Sequence, residues 1–182
     1  GLIFWILAVI DYAIKKEPSM SKSFAMYDTF DWRLFNRSLV LYGSGNKLFL
    51  RKLYQNAIIH DIEISSLPVF IWDFPDSELK ELLAPIIKMR ALLELAEVYS
   101  RAAPYRIFNQ DEKTVARLIY EEIRPARDKY IPALTTYVWL KPVKGYPKHF
   151  QNLRKRLEKA GLSARKKEDV YFETLRVADK TP

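Results

Sequence analysis

Cysteine is absent from this 182-residue chain, and glycine occurs only five times. Without thiols there is no disulfide framework, no thiolate metal site and no cysteine nucleophile. The few glycines form neither a dinucleotide-binding fingerprint nor a P-loop, which removes nucleotide cradling by a glycine-rich turn. Two histidines, His60 and His149, lie far apart without ligand-like spacing, so a histidine-based zinc site is disfavoured. Long apolar runs are missing too. The most apolar stretch, Leu2–Ile10, falls well short of the roughly 20 residues that span a bilayer. It also lacks the basic flank and small-residue cleavage site of a secretory signal. A cytoplasmic protein with no membrane partner is the resulting expectation.

What is present reads as globular: 49% hydrophobic and 29% charged residues. The length suits one domain, or one domain with a segment of a second. Formal charge is +8, and from Lys141 onward twelve Lys/Arg stand against five Asp/Glu. A basic surface selects anionic partners. Trp32, Trp72 and Trp139 fall in strand-like runs, where core packing outweighs base stacking, so nucleic acid is not the favoured anion.

Periodicity then divides the chain. Leu2–Ile14 reads as a buried helix, closed by Lys15-Lys16-Glu17-Pro18. Strand-like runs follow at Ser23–Tyr27, Ser38–Tyr42, Lys47–Tyr54, Ala57–Ile64 and Val69–Trp72, with hairpin chemistry at Gly43-Ser44-Gly45-Asn46. Leu79, Leu82, Leu83 and Ile86 share a helical face, with Asp76 or Ser77 as cap. Leu93–Tyr99, Tyr105–Asn109, Thr114–Glu121 and Ala133–Pro142 are further strands. Arg124–Tyr130 is charged and irregular, and Tyr130-Ile131-Pro132 a turn. A basic helix from Pro147 to Ala160 carries Lys148, Arg154, Lys155, Arg156 and Lys159, with Gly161 as its stop. Connections this short join antiparallel strands, not parallel crossovers. The fold class is α+β, with an antiparallel, barrel- or tunnel-like sheet of about eight strands and flanking helices.

Three segments resemble the CYTH superfamily, the triphosphate tunnel metalloenzymes, and in particular the N-terminal half of bacterial CYTH–CHAD proteins. They are Tyr27-Asp28-Thr29-Phe30-Asp31-Trp32-Arg33-Leu34-Phe35, the paired stretches from Arg90 through Arg106 to Leu118, and Lys144-Gly145-Tyr146-Pro147-Lys148 with its following helix. The resemblance implies a CYTH-like domain over residues 1–162, its first strand missing, and a linker over 163–182 leading to a CHAD domain of the same protein. It further implies a tunnel where carboxylates hold Mg²⁺ or Mn²⁺ and cationic side chains grip a triphosphate. The family's Glu-x-Glu-x-Lys hallmark is absent. Its nearest echo, Asp11-Tyr12-Ala13-Ile14-Lys15, sits in the apolar run read as helix, so the hallmark strand lies upstream of Gly1 or has been lost.

Within this frame Arg51, Lys52, Arg101, Arg106 and Arg117 are the anion-binding candidates, because they lie on central strands. Glu121 and Glu122 are the metal candidates, with an ion pair to Arg124 or Arg127 as their plainer use. Asp28 and Asp31 read as turn formers beside Thr29. No catalytic residue is assigned. The functional expectation is a degenerate, non-catalytic module that binds inorganic polyphosphate or a nucleotide triphosphate. A metal-dependent triphosphate hydrolase and a structural domain pairing through an exposed sheet edge are the alternatives.

Overall fold

A computed structural model describes residues 2–55, 57–126, 135–164 and 168–182. Arg127 and the Tyr130–Pro132 turn lie outside the described residues. The described chain runs α1 (Leu2–Ile10), β1 (Ala13–Lys16), β2 (Met20–Asp28), β3 (Leu39–Ser44), β4 (Lys47–Lys52), β5 (Ile58–Glu63), α2 (Glu78–Ile87), β6 (Leu93–Phe108), β7 (Thr114–Pro125), β8 (Thr135–Pro142), α3 (Pro147–Lys159) and α4 (Glu168–Val177). The strands form one sheet in the order β5-β4-β3-β2-β6-β7-β8, with β1 also pairing β6. The class is thus α+β with antiparallel pairing. β5 and β8 are unjoined edges among the described residues, so the sheet does not close into a barrel.

Two compact units divide the described residues. The first comprises 2–21, 100–123 and 135–164; the second comprises the rest. In the second unit, period-2 alternation sends Leu41, Leu48, Leu50 and Tyr27 to the face packed by Leu79, Leu83 and Ile87 of α2. Met26, Val40 and Leu53 go to the other face, against Tyr171 and Leu175 of α4. Ser77 caps α2 by accepting from the Lys80 amide at 3.2 Å. Tyr171 and Leu175 come from α4, which lies within the stretch 163–182.

The segment after β2 is organised by one carboxylate. Asp28, 1% exposed, accepts from the amides of Thr29 (2.7 Å), Leu34 (2.9 Å) and Phe35 (2.9 Å). Asp31 accepts from Thr29 Oγ1 (2.7 Å) and Arg33 Nε (2.9 Å), and Thr29 Oγ1 in turn accepts from the Arg33 amide. The two aspartates are turn formers. The hydrogen bonds from Arg33 and then Thr29 hold the Asp31 carboxyl below its ordinary value of 3.8. A depressed carboxyl adds stability that is complete above pH 3.8 and is lost as pH falls through its lowered folded value. Asp31→Asn is therefore expected to flatten the acid limb of a urea-midpoint profile; an unchanged limb would remove Asp31 from that role.

Four expectations are corrected. The apolar run does not stay helical to Ile14: Asp11 takes φ of 52°, ending α1, and Ala13–Lys16 pairs with Tyr105–Phe108 as a strand. Nor is α1 buried all round, since Phe4 is 73% exposed. Val69–Trp72 is not a strand, because Asp73 Oδ2 accepts from the amides of Phe70 and Val69 and winds Ile71–Asp73 into a 3-10 turn. Trp72 is consequently exposed, stacked on Phe70 at 4.6 Å. Finally, Leu93–Tyr99 and Tyr105–Asn109 are one strand. Pro104 does not break it: its carbonyl accepts from the Glu17 amide just past the last β1 partner, and the strand runs on through it.

Candidate anion-binding site

In the first unit the sheet has an apolar side and a charged side. Ile14, Tyr105, Ile107, Ala116, Leu118 and Leu140 pack beneath Ile6, Ile10, Leu153 and Leu157 of α1 and α3. Alternation sends their neighbours to the opposite side, where cross-strand partners are Lys15↔Arg106 and Arg117↔Lys141. Glu17 confirms that these belong together: its Oε1 lies 3.7 Å from Arg106 Nε and 3.3 Å from Arg117 Nη1. Arg106 is held further by donating to Thr114 Oγ1 through Nε (3.1 Å) and Nη2 (2.7 Å), and it lies over the Phe108 ring. This fixes one guanidinium while Arg117 stays exposed.

The arrangement is electrostatically expensive. Like charges directly opposite on neighbouring strands are destabilising, and here two such pairs share a face. One carboxylate, Glu17, serves both arginines. Lys15 and Lys141 are exposed and make no side-chain hydrogen bond or ion pair among the described residues. The face therefore carries uncompensated positive charge in a spacing that an extended polyanion can neutralise.

Glu121 lies on the same face, opposite Tyr137, but both of its oxygens are engaged. Oε1 accepts from Ser100 Oγ at 2.6 Å and Oε2 from Trp139 Nε1 at 2.7 Å. It clasps β6, β7 and β8. Glu122 pairs with Thr136 and alternates to the other face, so the structure does not bring the two metal candidates together. Among the described residues no group of three His, Asp or Glu is placed to hold a metal ion. With Glu17 engaged by two guanidiniums, these donors do not fit Mg²⁺ or Mn²⁺. Glu121→Ala is expected to cost about 2 kcal/mol in urea unfolding, because buried Ser100 and the Trp139 indole lose their acceptor. Indifference of unfolding to this change would return Glu121 to the list of free carboxylates.

The remaining candidates fall elsewhere. Arg101 is exposed and, next to Ser100 along β6, points to the opposite side of that strand. Arg51 and Lys52 belong to the second unit. Arg51 is 5% exposed and its Nη1 donates to the carbonyls of Lys52 and Leu53, 3.2 Å each, tying down the end of its own strand. Lys52 is exposed. Lys15, Glu17 and Lys141 were not singled out from the sequence. The available signal was Asp11, a residue tolerant of positive φ, followed by alternating Ala13-Ile14-Lys15.

In comparisons by sequence, no family model and no curated protein matches this chain. Among solved structures it is similar to the "putative adenylate cyclase (bh2851)" of Bacillus halodurans, at 12% identity over 85% of this chain and 83% of that one, TM-score 0.48. It is also similar to the PH1819 protein of Pyrococcus horikoshii OT3, at 13% identity over 92% of each chain, TM-score 0.40.

Proposed function

We infer that this chain is a CYTH-like domain that has lost its metal-binding carboxylates and binds inorganic polyphosphate or a related phosphorylated anion, such as a nucleotide triphosphate, as a non-catalytic accessory module. The observation that carries this reading is the doubled like-charge pairing, Lys15 opposite Arg106 and Arg117 opposite Lys141, bridged by the single carboxylate of Glu17. Such a face is stabilised by an anion and repelled by itself without one.

The strand β1 gives the reading its second support. Matched residue by residue to Glu-x-Glu-x-Lys, Asp11 stands at the first glutamate, Ala13 at the second and Lys15 at the lysine. The cation is kept and a carboxylate is replaced by a methyl group, which retains anion binding while removing a hard-metal ligand. A CHAD domain as partner and a cytoplasmic setting belong to the same proposal.

The test is a calorimetric titration with tripolyphosphate and long-chain polyphosphate, with and without Mg²⁺ and Mn²⁺, while released phosphate is followed. Salt-sensitive heat without phosphate release is expected. Metal-dependent release would replace this reading with the triphosphate hydrolase, and no heat with either anion would end it.

A further inference from the structure

We propose that the outward surface of α1 and α3 docks in the plane of an anionic lipid bilayer. The nine residues of α1 include no charged or polar side chain. Ile6 and Ile10 are buried, in one cluster with Leu153 and Leu157 of α3, against Ile107 and Leu118 of the sheet. Arg156 joins the two helices, donating to the carbonyl of Ile10 and lying over the Tyr12 ring. Both helices therefore cover the same side of the sheet, and their unburied faces look the same way.

At 100° per residue, Phe4, Trp5 and Ala8 turn away from Ile6 and Ile10. On that outward side Phe4 is 73% exposed and Trp5 45%, and Leu2 at the start of the helix is 46% exposed. The same geometry on α3 points Lys148, Lys155 and Lys159 away from Leu153 and Leu157, and all three are exposed. The only carboxylate on either helix, Glu158, is engaged by Arg154 at 2.9 Å.

Aromatic and aliphatic side chains beside lysines, with no opposing free acid on these helices, match the boundary where acyl chains meet anionic headgroups. The sequence excluded a spanning helix on length, and no helix among the described residues is long and apolar enough to cross a membrane. In-plane docking has no such length requirement. This surface lies on the side of the sheet opposite Lys15, Arg106, Arg117 and Lys141, so it is independent of the anion site above.

The experiment is co-sedimentation of the chain with phosphatidylserine–phosphatidylcholine vesicles and with phosphatidylcholine vesicles. Preferential binding to the anionic vesicles is expected. Phe4→Ser should weaken it roughly tenfold, and Lys155→Glu by a similar factor. Phe4→Ser should leave tripolyphosphate binding and the melting temperature unchanged, which separates lost docking from lost folding. Absence of binding to anionic vesicles would overturn the proposal. So would binding indifferent to Phe4→Ser, since charge alone would then suffice. Lipid-free self-association abolished by Phe4→Ser would overturn it in favour of a second copy as the covering surface.

Discussion

The Arg106→Ala/Arg117→Ala double variant is expected to bind tripolyphosphate about a hundredfold more weakly than the unmodified chain. Each guanidinium offers charge-assisted hydrogen bonds worth about 1.5 kcal/mol when a phosphate oxygen accepts them. Arg117→Ala alone should lose about tenfold. The two losses are expected to add, since each guanidinium meets the anion through its own hydrogen bonds. Glu17→Gln should act in the opposite direction and tighten binding a few-fold, because it removes the competing acceptor. Calorimetry at two salt concentrations checks both signs. Equal affinity of the double variant and the parent would remove this face from anion binding.

The largest stability effect is expected at Asp28. Asp28→Ala strands three amides, those of Thr29, Leu34 and Phe35, in a site closed to solvent, at a cost of about 3 kcal/mol. Asp28→Asn keeps one carbonyl acceptor and should cost about half as much. Burial pushes the Asp28 carboxyl above its ordinary value of 3.8, with the three amides offsetting part of the shift. A carboxyl raised in the folded state gains stability as pH falls through that folded value, and the gain is complete below pH 3.8. The advantage of the parent over Asp28→Asn should therefore widen on acidification through that window. Urea unfolding of both proteins across the acid range measures it; a gap that narrows would reverse the assigned sign.

Local chemistry was legible where one or two neighbouring residues suffice. The Gly45-Asn46 hairpin, the Ser77 cap, the stripe of α2 and the basic helix over 147–159 all stand as expected from spacing and turn residues. The strand placement of Arg106 and Arg117 was also legible, on β6 and β7. Lys15 and Glu17 were not. The apolar run continues through Ile14, and over so short a segment helical and strand periods coincide. Pro104 made one long strand look like two, because proline is rare inside strands. Val69–Trp72 has strand-like composition, yet the carboxylate of Asp73 supplies acceptors closer at hand than any ladder.

By itself the sequence determined that this protein is basic, without cysteine chemistry or a glycine-rich phosphate loop, and that its short connections build an antiparallel α+β sheet. Those are consequences of composition and of spacing along the chain. Only the tertiary structure decided that Lys15, Arg106, Arg117 and Lys141 share one face, that Glu121 is engaged by Ser100 and Trp139, that Glu122 points the other way, and that Phe4 and Trp5 are left uncovered. Alternation tells which residues of one strand lie together. Which strands become neighbours, and in what register, depends on pairing between segments up to about a hundred residues apart, such as Glu17 and Arg117. The energy of that pairing comes from burying Ile107, Leu118 and their neighbours together, and no local stretch of sequence contains it.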